Sequence, residues 1–338
     1  MHEAPSLHGL AGAATRWSGH HCALAARLGQ PGAVRLTEEQ EAMSLGIAGR
    51  LVRMIAGQMP LKTDIANIWA RWEATGIPSA PLIAPSIFAR VEEYRWRRMM
   101  TGPLHDPLPG LFADMAGKRR SAALLEGIGP EGIAPEAAAA VDAALLALRI
   151  ADGARSDAFG LPLLLPAELP PASLRALLFD AGAQDLAQAG DLDSRAPEIA
   201  AAVESAMTRH QHCAIDAAAR AYAAAVEQVG LLAAATSDAM ARHDWLAVIA
   251  VAAAKAQLRF ADAAAALVVA DEDVLRQFFV ALGLSPAATA PLLDSIAEIP
   301  GRPGAALAES AATDSEDMVM AVAARAESLR ARQRGDAP

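Results

Sequence analysis

The stretch LTEEQEAMSLGIAGRLVRMIAGQ, residues 36–58, decides how the chain is to be read. Thr37 offers an N-cap hydroxyl, Gln40 three residues later completes a capping box, and Leu36 is placed to staple against the next turn. Met43, Ile47, Leu51 and Ile55 then recur every four residues, the period of a helix with one buried face.

The composition extends this reading to the whole chain. Of 338 residues, 54% are apolar but only 4% aromatic, and alanine is about a quarter of the total. Alanine loses no side-chain entropy in a helix, whereas the β-branched and aromatic residues that favour strands are sparse. The expected fold class is all-α, an array of antiparallel helix pairs, HEAT-like or an irregular helical bundle, with a core of Leu, Val, Met and Ala. The longest uncharged apolar run without proline, Trp245 to Ala254, stops at Lys255, short of the roughly 20 residues a membrane span needs. The first 22 residues lack the basic start and continuous apolar segment of a signal peptide, and two distant cysteines make no disulfide framework. A reducing cytoplasm is therefore expected. The net charge of −10 is uneven: residues 1–120 carry +4 and the remainder −14.

Four regions follow. Residues 1–35 read as an arm with a short helix at 23–28, residues 36–133 as an N-terminal helical domain, 134–300 as a C-terminal helical domain, and 301–338 as a linker and final helix. Within 36–133, helices are expected at 63–74, with Ile65, Ile68, Trp69 and Trp72 inward, and from Ser86 to Met100. The intervening GIPSAPLIAPS reads as a proline-punctuated link. Residues 101–133 break into short helices, LPGLFADMAG and SAALLEGIG. Pro135 opens a helix to about 151, and a proline-rich loop, DAFGLPLLLPAELPP, feeds another from Ser173. Helices are then expected at 197–222, 224–241, 244–256, 260–269, 272–282 and 286–297. The tail has a capping box at Thr313 and Glu316 and an apolar face of Met318, Val322 and Leu329. No fixed-length repeat keeps its signature residues, although degenerate HEAT-type pairs leave weaker marks.

The ordered succession LTEEQEAMSLGIAGRLVRMI, APLIAPSIFARVEEYRWRRM, FGLPLLLPAELPPASLRALLFDAG and DWLAVIAVAAAKAQLRFADAAAALVVADEDVLRQFFVALGLSPAATAPLLDSI resembles the bacterial domain-of-unknown-function 2336 family over roughly residues 36–298. The resemblance is strongest at PAELP and ADEDVLRQFFVALGLSP. It implies an all-helical fold with HEAT-like pairs in the first half, and it transfers no catalytic residue.

Two clusters could suggest metal. Both cysteines follow histidines, in GHHC (19–22) and HQHC (210–213), and Cys22, His20 or His21, Cys213 and His210 would make a zinc-compatible tetrahedral set. On one helix His210 and Cys213 would share a face. Neither cluster has the tight spacing of structural zinc sites, so the plainer expectation is a small buried cysteine on a helix and a second one on the arm. No metal and no cofactor are expected. Phosphate-loop, dinucleotide, HExxH and GxSxG motifs are absent from the sequence. The acidic runs DEDVLR (271–276) and DLDS (191–194) sit at helix starts and are explained by the helix dipole, and Asp244 beside His243 by N-capping.

The basic, aromatic run RVEEYRWRRMM (90–100) is the remaining concentration of chemistry. Arg95, Arg97 and Arg98 around Trp96, continued by Lys118 and Arg120, could form a nucleic-acid surface from Arg90 to Arg120. A pI near 5.3 and the absence of a binding motif weigh against it. Glu93–Arg97 and Glu92–Arg95 pair at helical spacing, which fits a solvated helix face. The expected function is a non-enzymatic protein–protein interaction or regulatory module, with Arg95, Trp96, Arg97 and Arg98 as the partner-facing patch because Trp and Arg dominate interface hot spots. The alternatives are an enzyme with a site built between helices and a weak nucleic-acid binder. Partner identity and oligomeric state are not encoded in any motif.

Overall fold

The computed structural model describes residues 37–100, 135–189, 192–209 and 213–299. The chain divides at Ile299, and every described residue lies in the part before it. Among the described residues the fold is all-α, the only extended pairing being an isolated bridge between Ser156 and Pro162. The expected helices at 23–28, 101–133 and the tail lie outside the described residues.

Helix α1 (Glu38–Ala56) begins as its sequence dictates. The Thr37 hydroxyl accepts the Gln40 amide, the Gln40 side chain accepts the Thr37 amide, and Ile47, Leu51 and Ile55 are buried. Helix α2 (Ile65–Thr75) is capped by Asp64 and ends at Gly76, whose φ of 86° favours glycine. Helix α3 (Ala80–Met100) departs from expectation, because the stretch read as a link is helical from Ala80. Pro81 falls in the first turn, where no intrahelical N–H is needed, and Pro85 removes only the bond to the carbonyl of exposed Pro81. Against that single loss stands a buried stripe of Ile83, Ala84, Ile87, Phe88 and Val91, so tertiary packing overrides the proline signal.

Helix α4 (Pro135–Gly153) leads through an irregular segment and a single 3₁₀ turn (Pro166–Glu168) into α5 (Pro171–Ala189). Helices α6 (Leu192–Arg209) and α7 (Ala214–Gln228) replace the continuous helix expected over 197–222. Cys213 caps α7 in an extended conformation, so it does not continue the helix that ends at Arg209. The helix expected over 224–241 is also divided, because α7 runs on to Gln228 and α8 spans only Leu232–Ala241. The remaining helices, α9 (Trp245–Ala256), α10 (Phe260–Val269), α11 (Glu272–Ala281) and α12 (Pro286–Ala297), follow the expected boundaries closely. Asp244 and Ser285 cap α9 and α12 through their side chains, as read from sequence. Helices α9 and α10 are apolar nearly all round, which places them at the centre of the bundle.

Two hydrophobic cores result, and they do not follow a division at residue 133. One joins α1, α2 and most of α3 to α5 and α6; the other joins α4 to the helices from α7 onward. Helix α3 enters both, since Ile83 to Val91 pack in the first core while Trp96 stacks on Trp245 in the second, ring centroids 5.3 Å apart. Ala265 of α10 likewise reaches into the first core. Close packing partners such as α3 with α10 and α4 with α7 are not consecutive in the chain.

Candidate functional site

Most charges of α3 that sequence assigns to solvent, Glu92, Glu93, Arg90 and Arg95, lie inside the protein. Glu93 and Arg155 are both fully buried and form a two-pronged pair, Nη1 to Oε1 and Nη2 to Oε2, each 2.7 Å. The remaining nitrogen of Arg155, Nε, donates to Glu168 Oε1 at 2.7 Å, and the guanidinium lies 5.0 Å from the Phe260 ring centroid. Arg97 bridges Glu93 and Asp152, donating to Asp152 through both terminal nitrogens. Arg90 has its Nη1 3.2 Å from Glu93 Oε1.

Burial opposes ionisation of Glu93, but Arg155, Arg90 and Arg97 outweigh it and hold the carboxyl well below the ordinary range. Asp152 is also held low, against burial, chiefly by Arg97. Burial works against Arg155 too, yet Glu93 and Glu168 raise it well above the usual arginine value. Arg90 is pushed down to about 10 by burial and by Arg155, and it remains a cation at neutral pH. Glu93, Asp152, Arg90, Arg97 and Arg155 are therefore ionised, with their charges committed to one another.

Burying such a network is expensive, and a well-packed apolar replacement is often as stable. Its specific effect here is positional. Residues 154–165 form no helix, and beyond the single bridge between Ser156 and Pro162 no sheet, and the network fastens them at several points. Arg90 donates to the carbonyls of Arg155 and Leu163, and Glu168 Oε2 accepts the Leu165 amide. Arg50 of α1 donates to the Pro162 carbonyl. Between these anchors the chain makes a tight turn. Asp157 Oδ1 accepts the amides of Phe159 and Leu161, Gly160 adopts φ 74°, and the Asp157 amide meets the Leu161 carbonyl. Phe159 stands at the tip of this turn, 91% exposed. Of the seven large apolar side chains exposed among the described residues, Leu146, Ile150, Phe159 and Leu161 fall within residues 146–161, so apolar exposure concentrates here.

An open cleft of ≈ 380 Å³ lies at the far end of the same segment. Leu169, Pro170 and Met207 line it together with Cys213, Asp216 and Arg220. Burial pushes the Cys213 thiol up to about 11, which keeps it protonated and a poor nucleophile at neutral pH.

The partner-facing patch expected at Arg95, Trp96, Arg97 and Arg98 is corrected by these positions. Trp96 has 0% exposure and donates from Nε1 to Ser295 Oγ at 3.1 Å, so it is core. Arg95 is buried against Glu92, which also accepts from Gln40 of α1. Arg97 is spent on Glu93 and Asp152, leaving Arg98 exposed near the Tyr94 ring. The helical pairs Glu92–Arg95 and Glu93–Arg97 do form, but as interior pairs and not on a solvated face. Arg90 and Arg95 are unavailable to nucleic acid for the same reason; Lys118 and Arg120 lie outside the described residues. The metal candidates His20, His21, Cys22 and His210 also lie outside them. Cys213 is half-buried, and its place as cap of α7 removes the shared helical face argued for His210 and Cys213. Among the described residues no group of three metal-ligating side chains converges.

Sequence reading passes over Phe159, which lies in a segment classed as a proline-rich loop. The available signal is turn chemistry: Asp157 three residues before Gly160 marks a side-chain-capped turn with a glycine in the left-handed region. No helix among the described residues is long and apolar enough to cross a membrane. No protein-family profile, curated protein or solved structure matches the chain.

Proposed function

We propose that the chain is a cytoplasmic helical protein–protein interaction or regulatory module whose partner-facing element is the Phe159 turn. The observation that supports this most directly is an aromatic side chain, 91% exposed, on a turn whose flanks are locked by buried charge. An exposed phenylalanine has no value to the fold, whereas a rigid aromatic at an interface buries a large apolar area with little entropy lost on binding. Leu161 and, along α4, Leu146 and Ile150 supply further apolar contact from the same stretch. The ordered segments that resemble the domain-of-unknown-function 2336 family support placing the chain among its relatives.

The test is photo-crosslinking in native cells with p-benzoylphenylalanine at position 159. A discrete crosslinked protein is expected at 159 and not when the probe replaces Val280, an exposed residue on α11 far away in sequence. Absence of a specific product at 159 would overturn the reading.

A further inference from the structure

The cleft beside Cys213 is a separate feature that does not depend on the Phe159 turn. We infer that it binds a carboxylate adjoining an aliphatic side chain, with Arg220 as the anion's partner. Its walls combine apolar surface from Leu169, Pro170 and Met207 with two guanidinium groups, Arg220 and Arg259. Arg259 is committed, since it donates through two nitrogens to Asp262 and through the third to the Glu168 carbonyl. That last bond fixes the 167–171 wall of the cleft.

Arg220 is different. Asp216, four residues earlier on α7, would be its ordinary helical partner. Asp216 instead accepts the Phe260 amide at 2.7 Å and so caps α10. Among the described residues no hydrogen bond or ion pair engages Arg220, which leaves an exposed cation on a mostly apolar cleft. The volume suits a leucine-sized side chain with its carboxylate, at the small end of ligand sites. The nearby Asp216 charge disfavours a dianion, so a carboxylate is selected over a phosphate. The carboxylate could come from a peptide C-terminus or from an acidic side chain.

Cys213 lines the cleft and serves as the reporter. In the full-length chain carrying Cys22→Ser it is the sole thiol, so its alkylation by excess N-ethylmaleimide, slow because burial raises the thiol's pKa, reads occupancy through the change in rate. N-acetyl-leucine is expected to slow alkylation saturably, half-maximally at about 1 mM, the affinity of a few contacts. N-acetyl-leucinamide, without the carboxylate, should give no protection. N-acetyl-glutamyl-leucinamide separates the two sources: protection by it assigns a side-chain carboxylate as acceptable, and protection by N-acetyl-leucine alone assigns a terminal one. Arg220→Gln should weaken protection about tenfold, as loss of one charge-assisted bond implies, with protection in each protein referred to its own ligand-free rate. Equal protection by the amide, equal protection by inorganic phosphate, no protection by either acid, or an unchanged affinity in Arg220→Gln would each overturn the assignment.

Discussion

Arg155 is the residue on which the loop depends. Its three nitrogens reach Glu93, Asp152 and Glu168, and its carbonyl accepts from both Arg90 and the Leu163 amide. Truncating it leaves Glu93 buried without its main partner, so Arg155→Met should lower stability in urea by about 3–5 kcal/mol. The double variant Glu93→Leu/Arg155→Met removes both charges and should recover a large part of that loss. An additive double variant would show that the pair is not coupled. The pH response follows from Glu93 and Asp152, both held below the ordinary carboxylate range. Their folded pKa values lie below the unfolded ones, so their contribution is complete above an unfolded value of about 4 and is lost as pH falls further. Stability measured from pH 7 down to 2 should be flat at first and then decline below about pH 4. Replacing Glu93 by Gln should flatten that decline.

Helix contacts depend on small residues as much as on large ones. A Cβ built on Gly182 of α5 would fall 2.4 Å from Ile199 Cγ2 of α6 and 3.3 Å from Met59 Cε. Gly182→Ala should therefore destabilise by about 1–3 kcal/mol through overpacking, despite alanine's better helix propensity. A stabilised Gly182→Ala protein in urea denaturation would refute this approach of α5 to α6. Helix boundaries from 244 onward are legible because caps such as Asp244 and Ser285 agree there with the packing, whereas the helix expected over 224–241 is split between the end of α7 and α8. The start of α3 departs from the local reading because the buried stripe from Ile83 to Val91 outweighs its proline signal. The same limit hid the site: pairing of Glu93 with Arg97 is readable within one helix, but Arg155, 62 residues away, converts that pair from surface to interior. Phe159 was obscured for a related reason, since exposure on a rigid turn is a tertiary property.

Two cores share helices, and this binds the described residues into one cooperative structure. Trp96 of α3 and Ala265 of α10 each pack in the core opposite to most of their own helix. The most protected amides of α1 and of α9 should consequently exchange with the same free energy and the same urea dependence. Two distinct slopes would show that the cores unfold separately. The described residues then read as a frame for a loop that carries Phe159 outward at one end and walls the Arg220 cleft at the other.

The most direct test of that account is quantitative affinity purification from native cells, comparing the unmodified chain with Phe159→Ala at matched thermal stability. Because Phe159 is exposed, the substitution should change stability by no more than about 0.5 kcal/mol. The account predicts that a specific partner recovered with the unmodified chain falls at least about 30-fold with Phe159→Ala, as expected for a hot-spot aromatic. Unchanged recovery of every partner by the equally stable variant would contradict it.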